Sequence, residues 1–173
     1  MLFLVRFSHY KFIDMQKSIV FIIVLVYSLS FNAQDKSPEN EVKQVIETFF
    51  EGLHKGDSTL MASTLHKDIK IQTTSSMRSP NGLLQTDSRA KLLTAIANKN
   101  LEHIYLEKLL SYTIKIDGNI ASVWTPYEFY FNNNFSHCGA NSFQLFKDQT
   151  SWKIIYLVDM RRRGQCQALK EKK

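Results

Sequence analysis

The 173-residue sequence predicts an α+β domain, with helices packed on one face of an antiparallel sheet. Apolar residues recur at helical spacing as far as Asn98, and beyond it the pattern turns extended and stays so to about residue 163. The extended half is interrupted at Asp117-Gly118-Asn119, at Asn132-Asn133-Asn134 and between Lys147 and Ser151. Each interruption is turn chemistry that joins antiparallel neighbours. A run of helices followed by such a meander packs as two layers around one core.

The first helix begins at Ser37-Pro38-Glu39-Asn40. Ser37 suits the cap, Pro38 the first helical position, and Glu39 and Glu41 the positive end of the helix dipole. Val42, Val45, Ile46, Phe49, Phe50 and Leu53 follow on one stripe. The helix is expected to stop near Lys55-Gly56, with Asp57 capping a short second helix that carries Leu60, Met61 and Leu65. A short strand through Ile69 and Ile71 comes next, then a polar stretch from 73 to 87 that reads as a loop or irregular hairpin around Ser79-Pro80-Asn81-Gly82. Ser88 is positioned to cap a third helix bearing Leu92, Leu93 and Ile96. Four strands are expected after it, at about 102–116, 120–131, 135–146 and 152–162.

Residues 1–33 do not belong to that core. Lys17, an apolar stretch from Ser18 to Phe31 and then Asn32-Ala33-Gln34 have the three-part layout of an export signal. The stretch is short for a membrane span, which needs about 20 residues. The expectation is a single domain over 34–166, exported to the periplasm or medium, with no stable membrane insertion once the signal is cleaved, and a basic tail at 167–173. Met15 offers a second plausible start.

The formal charge of +6 does not indicate nucleic acid. Residues 34–158 carry 13 basic and 13 acidic side chains, whereas 159–173 carry six against two. The remaining +2 lies in residues 1–33, so the excess of the domain itself sits at the C-terminus and not across a face of the fold, as a nucleic-acid-binding domain requires.

The segments "TPYEFYFNNNFSHCGANSFQLF" (125–146) and "SWKIIYLVDMRR" (151–162), together with the element order, resemble the nuclear transport factor 2-like superfamily. Within it they resemble the branch described as "putative lumazine-binding". The resemblance spans roughly residues 41–166. It implies a strongly curved sheet wrapped around helices into a cone, a pocket at the open end, and often a homodimer through the outer sheet face. The superfamily hosts enzymes, adaptors and binding modules, so fold alone does not assign a function.

Pairing Phe146 with Trp152 and Phe131 with Phe135 gives a register for the last three strands. It sets His137 opposite Arg161 and Phe129, and Gly139 opposite Asp159 and Tyr127. Alternation then gathers Thr125, Tyr127, Phe129, His137, Asn141, Phe143, Asp159 and Arg161 on one face. The other face receives Trp124, Glu128, Tyr130, Cys138, Ser142, Trp152, Ile154 and Tyr156. The candidate ligand-binding residues are Tyr127, Phe129, His137, Asn141, Asp159 and Arg161, with His66 projecting from the helix-to-strand junction. Arg161 can clamp Asp159 or a ligand carboxylate or carbonyl, and the aromatic rings supply apolar walls. The same polar side chains could instead satisfy one another as a structural network. Arg162 and Arg163 are expected to be solvated.

This register sets Cys138 opposite Met160, six residues and about 20 Å of strand from Cys166. It argues against a disulfide unless the chain reverses after Gly164, and it makes Cys138 a buried small apolar residue. The histidines show no metal-ligand spacing, and no phosphate loop, nucleophile elbow or Cys-x-x-Cys pair occurs. Neither a metal nor a cofactor is expected.

Three functions compete. The first is a non-catalytic module that binds a small, flat, partly polar ligand in the cone. The second is an isomerase, dehydratase or cyclase with Asp159 or His137 as general base and Tyr127 polarising a carbonyl. The third is a dimeric interaction module that uses Trp124, Tyr130, Trp152 and Tyr156.

Overall fold

A computed structural model describes residues 37–76 and 82–166. The expected export signal, the expected tail at 167–173 and Ser79-Pro80-Asn81 lie outside the described residues. The elements in chain order are α1 (Pro38–Lys55), α2 (Ser58–Thr64), β1 (Leu65–Ser75), β2 (Leu83–Asp87), α3 (Arg89–Ala97), β3 (Tyr105–Leu109), β4 (Thr113–Asp117), β5 (Ile120–Phe131), β6 (Asn134–Lys147) and β7 (Trp152–Arg162).

All three helix starts follow from local chemistry. Ser37 Oγ accepts from the Asn40 N–H at 3.3 Å, Asp57 Oδ1 from Leu60 at 2.8 Å, and Ser88 Oγ from Lys91 at 3.1 Å. Each satisfies a backbone donor that has no partner inside its helix. α1 ends at Gly56, whose left-handed φ of 70° costs glycine no Cβ clash.

The strands form one curved sheet of order β2-β1-β7-β6-β5-β3, with β4 also pairing β5. Neighbours are antiparallel except β1 and β7, which run parallel. The chain passes through α3 and the whole meander before β7 returns beside β1, and so long a connection permits parallel pairing. The extended run expected over 102–116 is two strands, β3 and β4, both beside β5. Pro126 on β5 has no N–H to donate, and the chain departs from regular pairing opposite it. There the Leu110 N–H donates to the Pro126 carbonyl at 2.9 Å.

The expected register needs two corrections. Phe129↔His137 and Tyr127↔Gly139 pair as read, but an irregularity after Phe129 brings Phe131 opposite Asn134 in place of Phe135. Between β6 and β7, Phe146 meets Lys153, and a bulge between Gln144 and Leu145 adds a further step. Asn141 therefore lies opposite Asp159, Gly139 opposite Arg161 and Cys138 opposite Arg162. The bulge also reverses alternation along β7. Trp152 and Ile154, expected on the outer face, are buried in the core with Leu157.

That core lies between the helices and the inner face of the sheet. Val42, Ile46, Phe49 and Phe50 of α1 pack on Val123, Phe143, Leu145 and Ile154, with the Phe49 and Phe50 rings meeting Phe143 edge-on at 5.9 and 6.1 Å. Each fully buried side chain of this size contributes about 1.5–3 kcal/mol. Trp152 adds a polar anchor, its indole N–H donating to Glu41 at 3.2 Å.

Cys138 and Cys166 are joined in a disulfide with Cα atoms 5.9 Å apart, against the sequence expectation. The true register places Cys166 four residues beyond the partner of Cys138, not six. The chain also leaves β7 at Arg162 and turns back through Gly164 and Gln165, the latter at φ 56°. Arg162 is half-buried, its Nε without a hydrogen bond among the described residues, and is not the solvated side chain expected. Among the described residues no helix is long and apolar enough to cross a membrane.

Candidate functional site

A cavity of about 200 Å³ opens between the inner face of the sheet and helices α1 to α3. Its walls include Phe49, Phe50, Leu53, Met61, Leu92 and Leu157, and its polar groups are Thr73, Asp87, Lys91, Glu107, Asn141, Asp159 and Arg161. The β6–β7 and β1–β7 pairings assemble most of the polar set: Asn141 is opposite Asp159, which is in turn beside Thr73 on the parallel strand.

Asp159 is buried, and its carboxylate is already well supplied with donors. Thr73 Oγ1 donates to Oδ1 at 2.6 Å and Arg161 Nε to Oδ2 at 2.5 Å. The Tyr127 hydroxyl stands 3.5 Å from Oδ2 and 3.3 Å from the Met160 carbonyl. Burial, reinforced by the charges of Glu107 and Asp159, raises the Tyr127 phenol and keeps it protonated. Arg161 reaches the mouth, where its side chain is 44% exposed.

The second carboxyl is Glu107. Asn141 Nδ2 donates to its Oε1 at 2.7 Å, and its backbone N–H donates to His54 Nε2 at 2.9 Å. Part of the residue stays exposed because β3 is an edge strand, but the carboxyl end lies in the cavity. Desolvation there pushes it up to about 7, with Asp159 adding to the rise and the Asn141 hydrogen bond and Arg161 opposing it. Glu107 thus exchanges a proton near neutrality while Asp159 sits in an ion pair.

Of the candidates read from sequence, Asn141, Asp159 and Arg161 line the cavity, and Tyr127 reaches them through its hydroxyl. Phe129 and His137 lie one layer away, with ring centroids 4.9 Å apart, and His137 meets Tyr127 edge-on at 5.8 Å. Gly139, not His137, faces Arg161 across the strands. Burial, together with the charges of Arg161 and Arg163, lowers the His137 imidazole to about 4. His66 does not line the cavity, and its Nδ1 accepts from the Asp68 N–H at 3.2 Å. Gly139 is needed because β7 passes so close: a Cβ there would stand 1.6 Å from the Met160 carbonyl oxygen and 3.0 Å from Tyr127 Cε1.

Sequence reasoning missed Thr73, Asp87, Lys91 and Glu107. Thr73 sits in a polar run that resembles a loop, and only its parallel pairing with β7 reveals it. Glu107 alternates inward between exposed Leu106 and Lys108 and is opposite Phe129. That register was legible once 102–116 was divided into two strands. Among the described residues no group of three or more His, Cys, Asp or Glu side chains is arranged to hold a metal ion.

A curved sheet closed by helices over a cavity at one end is the nuclear transport factor 2-like cone. Solved structures of similar shape include a nuclear transport factor 2-like protein from Shewanella baltica, 18% identical, with a TM-score of 0.55 over 77% of this chain and 100% of that one. Another, from Cytophaga hutchinsonii, is 12% identical with a TM-score of 0.59 over 73% and 99% of the two chains. A protein described as a putative dehydratase, from Streptomyces avermitilis, is 12% identical with a TM-score of 0.57 over 73% and 99%. At these identities the likeness is one of fold. Residues 37–158 match the family described as "putative lumazine-binding", and the chain belongs to that family. No curated protein matches it.

Proposed function

We propose that this is an exported, non-catalytic binding protein that takes a small, partly polar ligand in its cavity and works as a homodimer. The observation that carries the reading is the cavity itself: about 200 Å³ with apolar walls, on which Glu107, Asn141, Asp159 and Arg161 converge. A few placed polar groups in an apolar concavity are what orient a small molecule. The family description points the same way.

Neither base considered from sequence is well placed. The Arg161 guanidinium and the Thr73 hydroxyl occupy Asp159, and His137 lies outside the cavity lining with its basicity reduced. Acid–base chemistry through Glu107 is the second reading, favoured by a carboxyl that titrates near neutrality. Export is supported by the three-part layout of residues 17–34 and by a disulfide suited to an oxidising compartment. The homodimer rests on the half-exposed Trp124 of the outer sheet face, 50% accessible.

The test is native mass spectrometry of the protein exported by a bacterial host, with anything bound released by denaturation. A stoichiometric small molecule that is lost in an Asn141→Ala variant supports the binding reading, and the same spectrum gives the subunit count. A chain that carries nothing and takes up nothing from a metabolite extract overturns it.

A further inference from the structure

The ligand class follows from which hydrogen-bonding groups of the cavity are already engaged. Asp159 has Thr73 on one oxygen and Arg161 on the other, and Lys91 is paired with Asp87. Arg161 contacts Asp159 through Nε, and among the described residues its Nη1 and Nη2 donate to no group. A guanidinium with both terminal nitrogens available is a planar fork that matches two oxygens of one carboxylate. Because Arg161 is partly exposed at the mouth, that fork is accessible to an incoming molecule. The unused capacity at the mouth is therefore donor capacity.

Resting on the binding reading above, we propose that the cavity selects a small monocarboxylate. Its carboxylate lies on the Nη fork of Arg161, and its apolar body lies against Phe49, Phe50, Leu53, Met61 and Leu157. The volume of about 200 Å³ is below the range of drug-sized sites, which begins at about 300 Å³, so the occupant is smaller than a drug-sized molecule.

The charges around the site make this selectivity dependent on pH. Asp87 on β2 is balanced by Lys91 on α3, and Asp159 by Arg161, both on β7. Tyr127 on β5 stays neutral, and His54 on α1 is held toward its neutral form by burial and by Lys99. On the outer side Glu107 shares a recess with Glu47, Glu51 and Lys55 of α1 and with Tyr112. Glu47 is paired with Lys43 and Glu51 with Lys55, and Tyr112 is held protonated by burial. This leaves the Glu107 carboxyl, titrating at about 7, as the group that changes charge. Protonated, it leaves the cavity neutral and presents a donor at depth; ionised, it repels a carboxylate. Anion binding is thus linked to retention of the Glu107 proton.

The experiment titrates the full, oxidised chain by calorimetry and methyl NMR with matched acid and amide probes: benzoate and benzamide, phenylacetate and phenylacetamide, hexanoate and hexanamide. Phenethylamine serves as the cationic control. At pH 6 at least one carboxylate is expected to bind ten times or more tighter than its amide, and to lose about tenfold in affinity by pH 8, as a site gated by a group titrating near 7 must. Arg161→Gln is expected to erase the difference between acid and amide, whereas Glu107→Gln is expected to flatten the pH dependence of carboxylate binding between pH 6 and pH 8. The comparison of matched probes needs no variant, so a poorly folded R161Q does not decide it. Amides or the amine binding as tightly as the acids would overturn the carboxylate assignment and leave cavity binding standing. No probe of any charge moving the Leu53, Met61 or Leu157 methyls would overturn both.

Discussion

Replacing Glu107 by glutamine provides a direct measure of how dry the cavity is. In the folded chain the Glu107 carboxyl titrates at about 7, against 4.5 when it is free in water. Between those values the native state holds a proton that the unfolded chain has released, so rising pH removes stability across that window and nowhere else. At about 1.4 kcal/mol per pH unit, the loss is about 3 kcal/mol, reduced to about 2 kcal/mol by solvent reaching the cavity mouth. Glutamine keeps the acceptor for Asn141 Nδ2 and never ionises. The variant is therefore expected to match the parent at pH 4 and to exceed it by about 2 kcal/mol at pH 8.5. Urea unfolding followed by circular dichroism, with the disulfide intact, measures the difference at each pH. Titrations of His54 and His137 are common to both proteins and cancel. A difference that stays constant from pH 4 to pH 8.5 would show that Glu107 is solvated and would refute the reasoning.

Gly139→Ala sets a Cβ 1.6 Å from the Met160 carbonyl oxygen, which forces β7 away from β6. A loss of more than about 3 kcal/mol is expected in thermal unfolding, and a loss under about 1 kcal/mol would mean that the strands are not that close. Cys166→Ser opens a loop of 28 residues and should cost about 3 kcal/mol. Two reactive thiols in the parent chain, denatured without reductant, would rule the bridge out. Thr73→Val deletes the hydroxyl that donates to Asp159 at 2.6 Å and should cost about 2 kcal/mol by urea unfolding. An unchanged midpoint would mean that Asp159 is satisfied without it.

The helix boundaries and strand alternation, which depend on near neighbours in the chain, were legible in the sequence, whereas the break of 102–116 into two strands and the hairpin registers were not. Ser37, Asp57 and Ser88 cap helices because a side-chain oxygen three residues before an orphan N–H needs nothing distant. Gly56 ends α1 for an equally local reason. Alternation along β5 and β6 gathered Tyr127, Asn141 and their partners on one face because period two is intrinsic to a strand. The element order together with the segments 125–146 and 151–162 carried the family resemblance that implied the cone.

Tertiary structure decided what depends on how two strands slide past each other. The shift of Phe146 onto Lys153 turned Trp152 and Ile154 into the core, and together with the bulge between Gln144 and Leu145 it moved Asp159 from Gly139 to Asn141 and brought Cys166 within reach of Cys138. No single strand carries that information, because a bulge is fixed by the fit of the whole sheet around the helices. The parallel return of β7 beside β1 delivered Thr73 to Asp159 across 86 residues. Glu107 is an ordinary carboxylate in sequence, and it becomes a group that titrates near neutrality only where burial in the closed fold removes its water and the charge of Asp159 lies near, against the opposing hydrogen bond from Asn141. Caps, turns and alternation are short-range preferences written residue by residue, whereas register, burial and desolvation are properties of the closed cone.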